Sequence, residues 1–189
     1  MVSGMGIVET PNRNEMQNVQ GKVRIDVLEV KGLSVVGLSR WLEEWIVPEI
    51  PATELIPNRE SGRIMRTLYS SNLIVATGRA YLGLLLKGST PAPTHVAVGT
   101  SVTVAADGQT ALVSEVFRDN ITQRINITDG ARIRFLLSSA SANGVDLAEA
   151  GLFGPSFYNY MLSRVTYTPI TKTSSVAINY TWDITFSQP

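Results

Sequence analysis

The chain has no cysteine, so disulfides, thiol nucleophiles and thiolate metal sites are excluded by composition. It has one histidine, His95, so a site built from several imidazoles is excluded as well. Charge is scarce: Asp, Glu, Lys and Arg make up 17% of 189 residues, against roughly 25% in ordinary soluble domains. Sixteen cationic residues balance sixteen anionic ones, and the formal net charge is zero. That removes the electrostatic footprint of a nucleic-acid binder, and no nucleic-acid partner is expected. Long apolar runs are missing too. None approaches the roughly 20 residues of a membrane helix, so no membrane span is expected. The opening stretch MVSGMGIVETPNRNE lacks the basic and apolar regions of a signal peptide, and no export signal is expected.

What remains is a chain that is 44% hydrophobic. A low-charge, near-neutral surface suits a subunit packed in an assembly better than a free monomer. The plainest element is Val176 to Phe186, VAINYTWDITF. Ile178, Tyr180, Trp182, Ile184 and Phe186 fall on one face of an extended strand. Ala177, Asn179, Thr181, Asp183 and Thr185 fall on the other. Such two-faced strands belong to antiparallel sheets more than to parallel nucleotide-binding cores.

Further strands are expected at 22–27, 94–100, 121–128, 131–138 and 160–167. Asp129-Gly130, between two alternating runs, is a strong hairpin signal. Residues 101–110 read as a loop, 111–118 as a helical turn or irregular connection, and 145–154 stay ambiguous between helix and strand. Two helices are expected. In the first, at 38–46, Leu38, Trp41, Leu42, Trp45 and Ile46 share a face, and Pro48 ends it. The second spans 71–88, capped by Ser71 or Asn72, with Leu73, Ala76, Thr77, Ala80 and Leu84 as its stripe and Gly88 closing it. Its internal Gly78 and Gly83 suggest close approach to a sheet. Residues 47–63, rich in proline, mark a boundary.

The expected architecture is mainly β. An antiparallel β-sandwich is preceded by one or two helices and an extended N-terminal arm. Residues 1–63 form a docking region and 64–189 the helix and sandwich.

Little in the chain points to catalysis. His95 has no assignable serine partner and reads as an ordinary strand residue. Asp146 and Glu149 would share a face only on a helix, and read better as solvated loop or sheet-edge charges. Asp107-Gly108 and Asp129-Gly130 lack the ligand spacing of a calcium loop. Arg132, Arg134 and Arg124 are candidates for a basic stripe, or for plain surface ion pairs. No catalytic residue, cofactor or metal is expected. The candidate interface is Trp41, Leu42 and Trp45, which either cap their own domain or dock on a neighbouring subunit.

Five segments carry a resemblance. They are AsnLeuIleValAlaThrGlyArg (72–79) running on to LeuLeuLeuLysGly (84–88), ThrHisValAlaValGlyThr (94–100), and ThrAlaLeuValSerGluValPheArg (110–118). The last two are AlaAsnGlyValAspLeuAlaGluAlaGlyLeuPhe (142–153) and TyrMetLeuSerArgValThrTyrThrProIleThrLysThrSer (160–174), followed by Trp182. In this order, over residues 71–186, they resemble the bacteriophage tail-fibre and baseplate-associated virion proteins akin to the tail-collar fibre N-terminal domain. Residues 1–70 lie outside the resemblance, and Ala150 stands where a larger apolar residue is usual.

The resemblance implies a β-rich domain and a non-enzymatic structural role as a tail or baseplate component, or a fibre anchor or adaptor. The expected location is the virion, after synthesis in the host bacterial cytoplasm. The expected partners are further copies of the chain and other virion proteins. The alternatives are a neck- or head-attached fibre protein and a carbohydrate-binding module for a host-surface glycan. For the last, exposure of Phe157, Tyr158 and Tyr160 is the discriminating feature.

Overall fold

The structure is a computed structural model, and it describes residues 19–30, 63–155 and 160–186. The strands are β1 (Val19–Glu29), β2 (Arg63–Ile74), β3 (His95–Gly99), β4 (Glu115–Asn120), β5 (Gln123–Ile127), β6 (Gly130–Leu137), β7 (Val145–Phe153), β8 (Met161–Lys172) and β9 (Val176–Phe186). One helix, α1 (Ala76–Leu86), is described. The nine strands form one antiparallel sheet in the order β4-β3-β7-β8-β2-β1-β9-β6-β5. The protein is mainly β, as the alternating pattern implies.

The sandwich arises by curling that single sheet. β2 is the corner: Gly21–Glu29 of β1 pair along its length, while its last residues Leu73 and Ile74 pair with Arg164 and Ser163 of β8. The edge strands β4 and β5 are joined by two residues only, so Asn120 and Gln123 lie within about 11 Å. The two ends of the sheet therefore meet. One core fills the curl, with Val23 and Ile25 of β1 and Ile178, Tyr180 and Trp182 of β9 on one side. Leu147 and Leu152 of β7 and Leu162 and Val165 of β8 lie on the other. Tyr180 stacks on Trp182 with centroids 5.6 Å apart. Its hydroxyl lies 2.7 Å from that of Tyr167 on β8, a polar tie across the core.

Strand β1 lies between β2 and β9, so the sheet uses residues from both sides of the boundary read at 63. The helix is shorter than the sequence implies. Residues 71–74 belong to β2, because their backbone pairs with β1 and β8, and α1 begins after Val75 with no side-chain cap. Its buried face carries Gly78 and Tyr81, whereas Ala76 and Ala80 are exposed. The two glycines part company. A Cβ on Gly78 would stand 1.9 Å from the Leu162 carbonyl oxygen of β8, while one on Gly83 would meet nothing within 4 Å. Only Gly78 is there for close approach. Gly88, at φ 70°, takes the left-handed conformation expected of it.

The hairpin forms as expected, but its two loop residues are Thr128 and Asp129, and Gly130 already pairs with Ile127. Residues 111–118 are not helical: 115–118 open β4. The ambiguous 145–154 is strand β7. Between Leu147 and Glu149 of β7 the register against β8 slips, from Ile170 to Thr166. The slip falls beside Pro169, which has no N–H to give to the ladder.

Candidate functional site

Trp41, Leu42 and Trp45 lie outside the described residues, as do Phe157 and Tyr158. Tyr160 is half-buried and stacks on Tyr81 at 5.6 Å. His95 is the first residue of β3, half-buried, with Nδ1 2.7 Å from the Thr94 hydroxyl. Asp146 is exposed and accepts a hydrogen bond from Thr171.

Glu149 departs from the sequence reading. It is not a solvated charge but fully buried, paired with an equally buried Arg164 at 2.8 Å. The two residues sit on neighbouring strands β7 and β8, on the face turned away from the main core. Around them folds the loop 100–114. Its ends are closed by the Thr100 amide donating to the Ser114 carbonyl at 3.0 Å, which makes it a compact Ω-loop. Glu149 accepts from the Val113 amide at 3.1 Å and the Ser114 amide at 2.7 Å. Arg164 donates to the Thr103 carbonyl at 2.8 Å and to Gln109 Oε1 at 3.0 Å. At the loop's far turn, Arg79 of α1 forks onto Asp107 at 2.7 and 2.9 Å.

A buried pair is costly unless every lone pair and donor is engaged. Here the loop backbone supplies the partners, so pair and loop order one another. Gly99 permits the closure, since a Cβ there would stand 2.3 Å from the Ser114 carbonyl oxygen. Leu112 turns inward against Val75, Ala97, Phe153 and Met161. Val102, Val104 and Val113 turn outward at 67, 77 and 53% exposure, joined by Val116 of β4 at 43%. The result is an ordered loop that presents apolar side chains to solvent.

A second buried cation closes the far end of the same half. Lys172 donates to Asn143 Oδ1 at 2.7 Å, Thr173 O at 3.1 Å and Ser139 O at 3.3 Å. Burial pushes its pKa down from 10.5 to about 8. Between about pH 8 and 10 the unfolded chain then holds more protons at this site than the folded one, so stability rises with pH there. Comparing Lys172→Met with the native protein by denaturant titration should show that rise, on the order of 1–2 kcal/mol, in the native protein alone. Parallel pH curves would contradict it.

The other half of the sheet offers a polar face. Pairing sets Tyr69, Arg24, Thr181, Arg134 and Gln123 in one row across β2, β1, β9, β6 and β5. The adjoining row holds Ser71, Lys22, Asp183 and Arg132. Arg132 forks onto Asp183 at 2.7 and 2.8 Å, the surface pairing the sequence suggests. Arg124 does not join them. It sits opposite Ile133 and donates to the Pro93 carbonyl.

Sequence reasoning missed the Glu149–Arg164 pair. The available signal was Glu149 inside the apolar run 147–153 and Arg164 beside the apolar residues of 161–165, since a buried charge needs a partner.

No protein-family model, curated protein or solved structure matches the chain. Among the described residues no three His, Asp or Glu side chains gather as a metal-binding group, and no helix is long and apolar enough to cross a membrane.

Proposed function

We propose that the protein is a non-enzymatic structural component of a bacteriophage virion, a tail or baseplate part or fibre anchor that works by docking subunits. One observation carries the reading: the loop 100–114 is anchored from below by a buried ion pair and turns three valines outward. An interface made of ordered backbone pays little conformational entropy on association. Its occupant is a second copy of this chain. With zero formal net charge, identical copies meet without long-range repulsion.

The sequence resemblance fits the same region. Its segments at 94–100, 110–118, 142–153 and 160–174 supply β3, β4, β7 and β8, which lie side by side. Glu149 and Arg164 belong to two of those segments and hold a third, through the Val113 and Ser114 amides.

The expected result in native mass spectrometry is an oligomer that Val102→Asp/Val104→Asp shifts to a monomer that still unfolds cooperatively, with a melting temperature that no longer depends on protein concentration. An oligomer indifferent to both substitutions would move the interface elsewhere and remove the argument.

A further inference from the structure

The polar face of β1, β9 and β6 encloses a cavity of about 280 Å³, lined by Lys22, Arg24, Arg132, Arg134, Asp26 and Asp183 together with Tyr69, Asn179 and Thr181. Among the described residues, four cations against two carboxylates leave a surplus of two positive charges. Both carboxylates are already engaged. Asp26 accepts from Arg24 Nε at 3.0 Å and the Thr67 hydroxyl at 2.7 Å, and Asp183 holds Arg132. Arg134 is different. Its one hydrogen-bond partner among the described residues is the neutral Gln123 Oε1 at 3.2 Å, so most of its five donors face solvent or the cavity without a protein acceptor. Burial, then the charges of Arg132 and Arg24, push its pKa below the ordinary arginine value, with Asp183 acting the other way. An anion placed there would relieve that repulsion.

A second, independent feature points to a ligand. Asn179 is 7% exposed, lines the cavity, and its Oδ1 has no hydrogen-bond partner among the described residues. An unpaired buried amide oxygen asks for a donor, and a simple anion has none to give. The ligand should therefore carry a negative charge and, close by, hydroxyl or amide hydrogens. At the rim stands Tyr69, 74% exposed, in the row beside Arg24. Two strand spacings separate Arg24 from Arg134, about 10 Å between backbones, with Thr181 between them. The cavity lies just below the usual range of ligand pockets, about 300–1,000 Å³, and takes one ring-sized group. A peptide strand is disfavoured, because this is the face of a paired sheet and not an open edge.

We propose that this face is a binding site for an acidic sugar, a pyranose carrying a carboxylate. The carboxylate lies on the Arg134 fork, ring hydroxyls share Thr181 and, once the closed-off Asn179 amide turns toward the cavity, donate to its Oδ1, and the ring's apolar side rests on Tyr69. The site lies on the other half of the sheet from the valine loop and does not depend on the assembly reading.

The test uses the full chain, with saturation-transfer NMR and calorimetry against D-glucuronate, D-glucose, acetate, inorganic phosphate and a glutamate-rich peptide. Glucuronate should bind at least tenfold more tightly than each of the other probes. Arg134→Gln and Tyr69→Ala should each weaken it at least fivefold. Tyr69 is exposed, so its replacement leaves folding intact and keeps the test valid if Arg134→Gln is unstable. Binding of glucose equal to glucuronate, of phosphate, acetate or peptide equal to glucuronate, or of no probe at all would overturn the proposal. So would glucuronate binding indifferent to Tyr69→Ala.

Discussion

Arg164→Met is expected to cost about 3–5 kcal/mol, a large share of the 5–15 kcal/mol that holds a typical domain folded. The loss is not that of a surface salt bridge. Glu149 would be left as a charge at 0% exposure with its principal countercharge gone. The loop would also lose the donors to Thr103 and Gln109. Urea denaturation measures the global cost, and hydrogen exchange measures the local one, which should be concentrated in the amides of residues 100–114. The pairing of charges is tested by Glu149→Gln/Arg164→Met. A neutral amide removes the bare charge, and its single oxygen still accepts from one of the Val113 and Ser114 amides, so the double variant should be more stable than Arg164→Met alone. A single-variant cost below about 1 kcal/mol, in the range of exposed pairs, would show that the pair does not anchor the loop.

Trp182→Ala should cost about 3–5 kcal/mol as well, by a different mechanism. Trp182 is fully buried on β9, opposite Val23 of β1 and Ile133 of β6, and stacked on Tyr180. Removing the indole opens a cavity where the two halves of the curled sheet meet, and the surrounding strands are too fully paired to collapse into it. Trp182→Phe should cost markedly less. It keeps most of the packing, and it also removes an indole N–H that has no acceptor among the described residues. Equal losses for Ala and Phe would mean that the indole nitrogen, not its volume, is what the site requires.

These two residues also show what could be read from the sequence. Trp182 was legible because period-two alternation reports one buried face directly, and β9 follows that pattern along most of its length. It fails at the ends. Ala177 and Asn179 are buried although they lie on the polar face, and Phe186 is 51% exposed although it lies on the apolar one. Alternation cannot tell that β9 is a central strand with neighbours on both sides. The start of α1 was illegible for a related reason. SerSerAsnLeuIle suits a capped helix locally, but its backbone is claimed by β1 and β8, a tertiary contact that propensity does not contain.

The buried Glu149 was misread for the same reason. Its counterion is 15 residues away on the next strand, and its other partners are amides of a loop that folds back over it. The polar face was half legible: Arg132 and Arg134 were visible as a stripe. Their grouping with Arg24, and the exclusion of Arg124, follow from register alone.

If the valine-bearing loop pairs copies of this chain and the paired copies are what a virion takes up, a chain with a charged loop is left out of the particle. The direct measurement is quantitative mass spectrometry of purified phage particles assembled with either the native chain or the Val102→Asp/Val104→Asp variant. The expected result is several copies of the native chain per particle and at least a tenfold loss of the variant, with both chains equally abundant and folded in the host. Particles without the native chain, or particles that take up both chains equally, would contradict it.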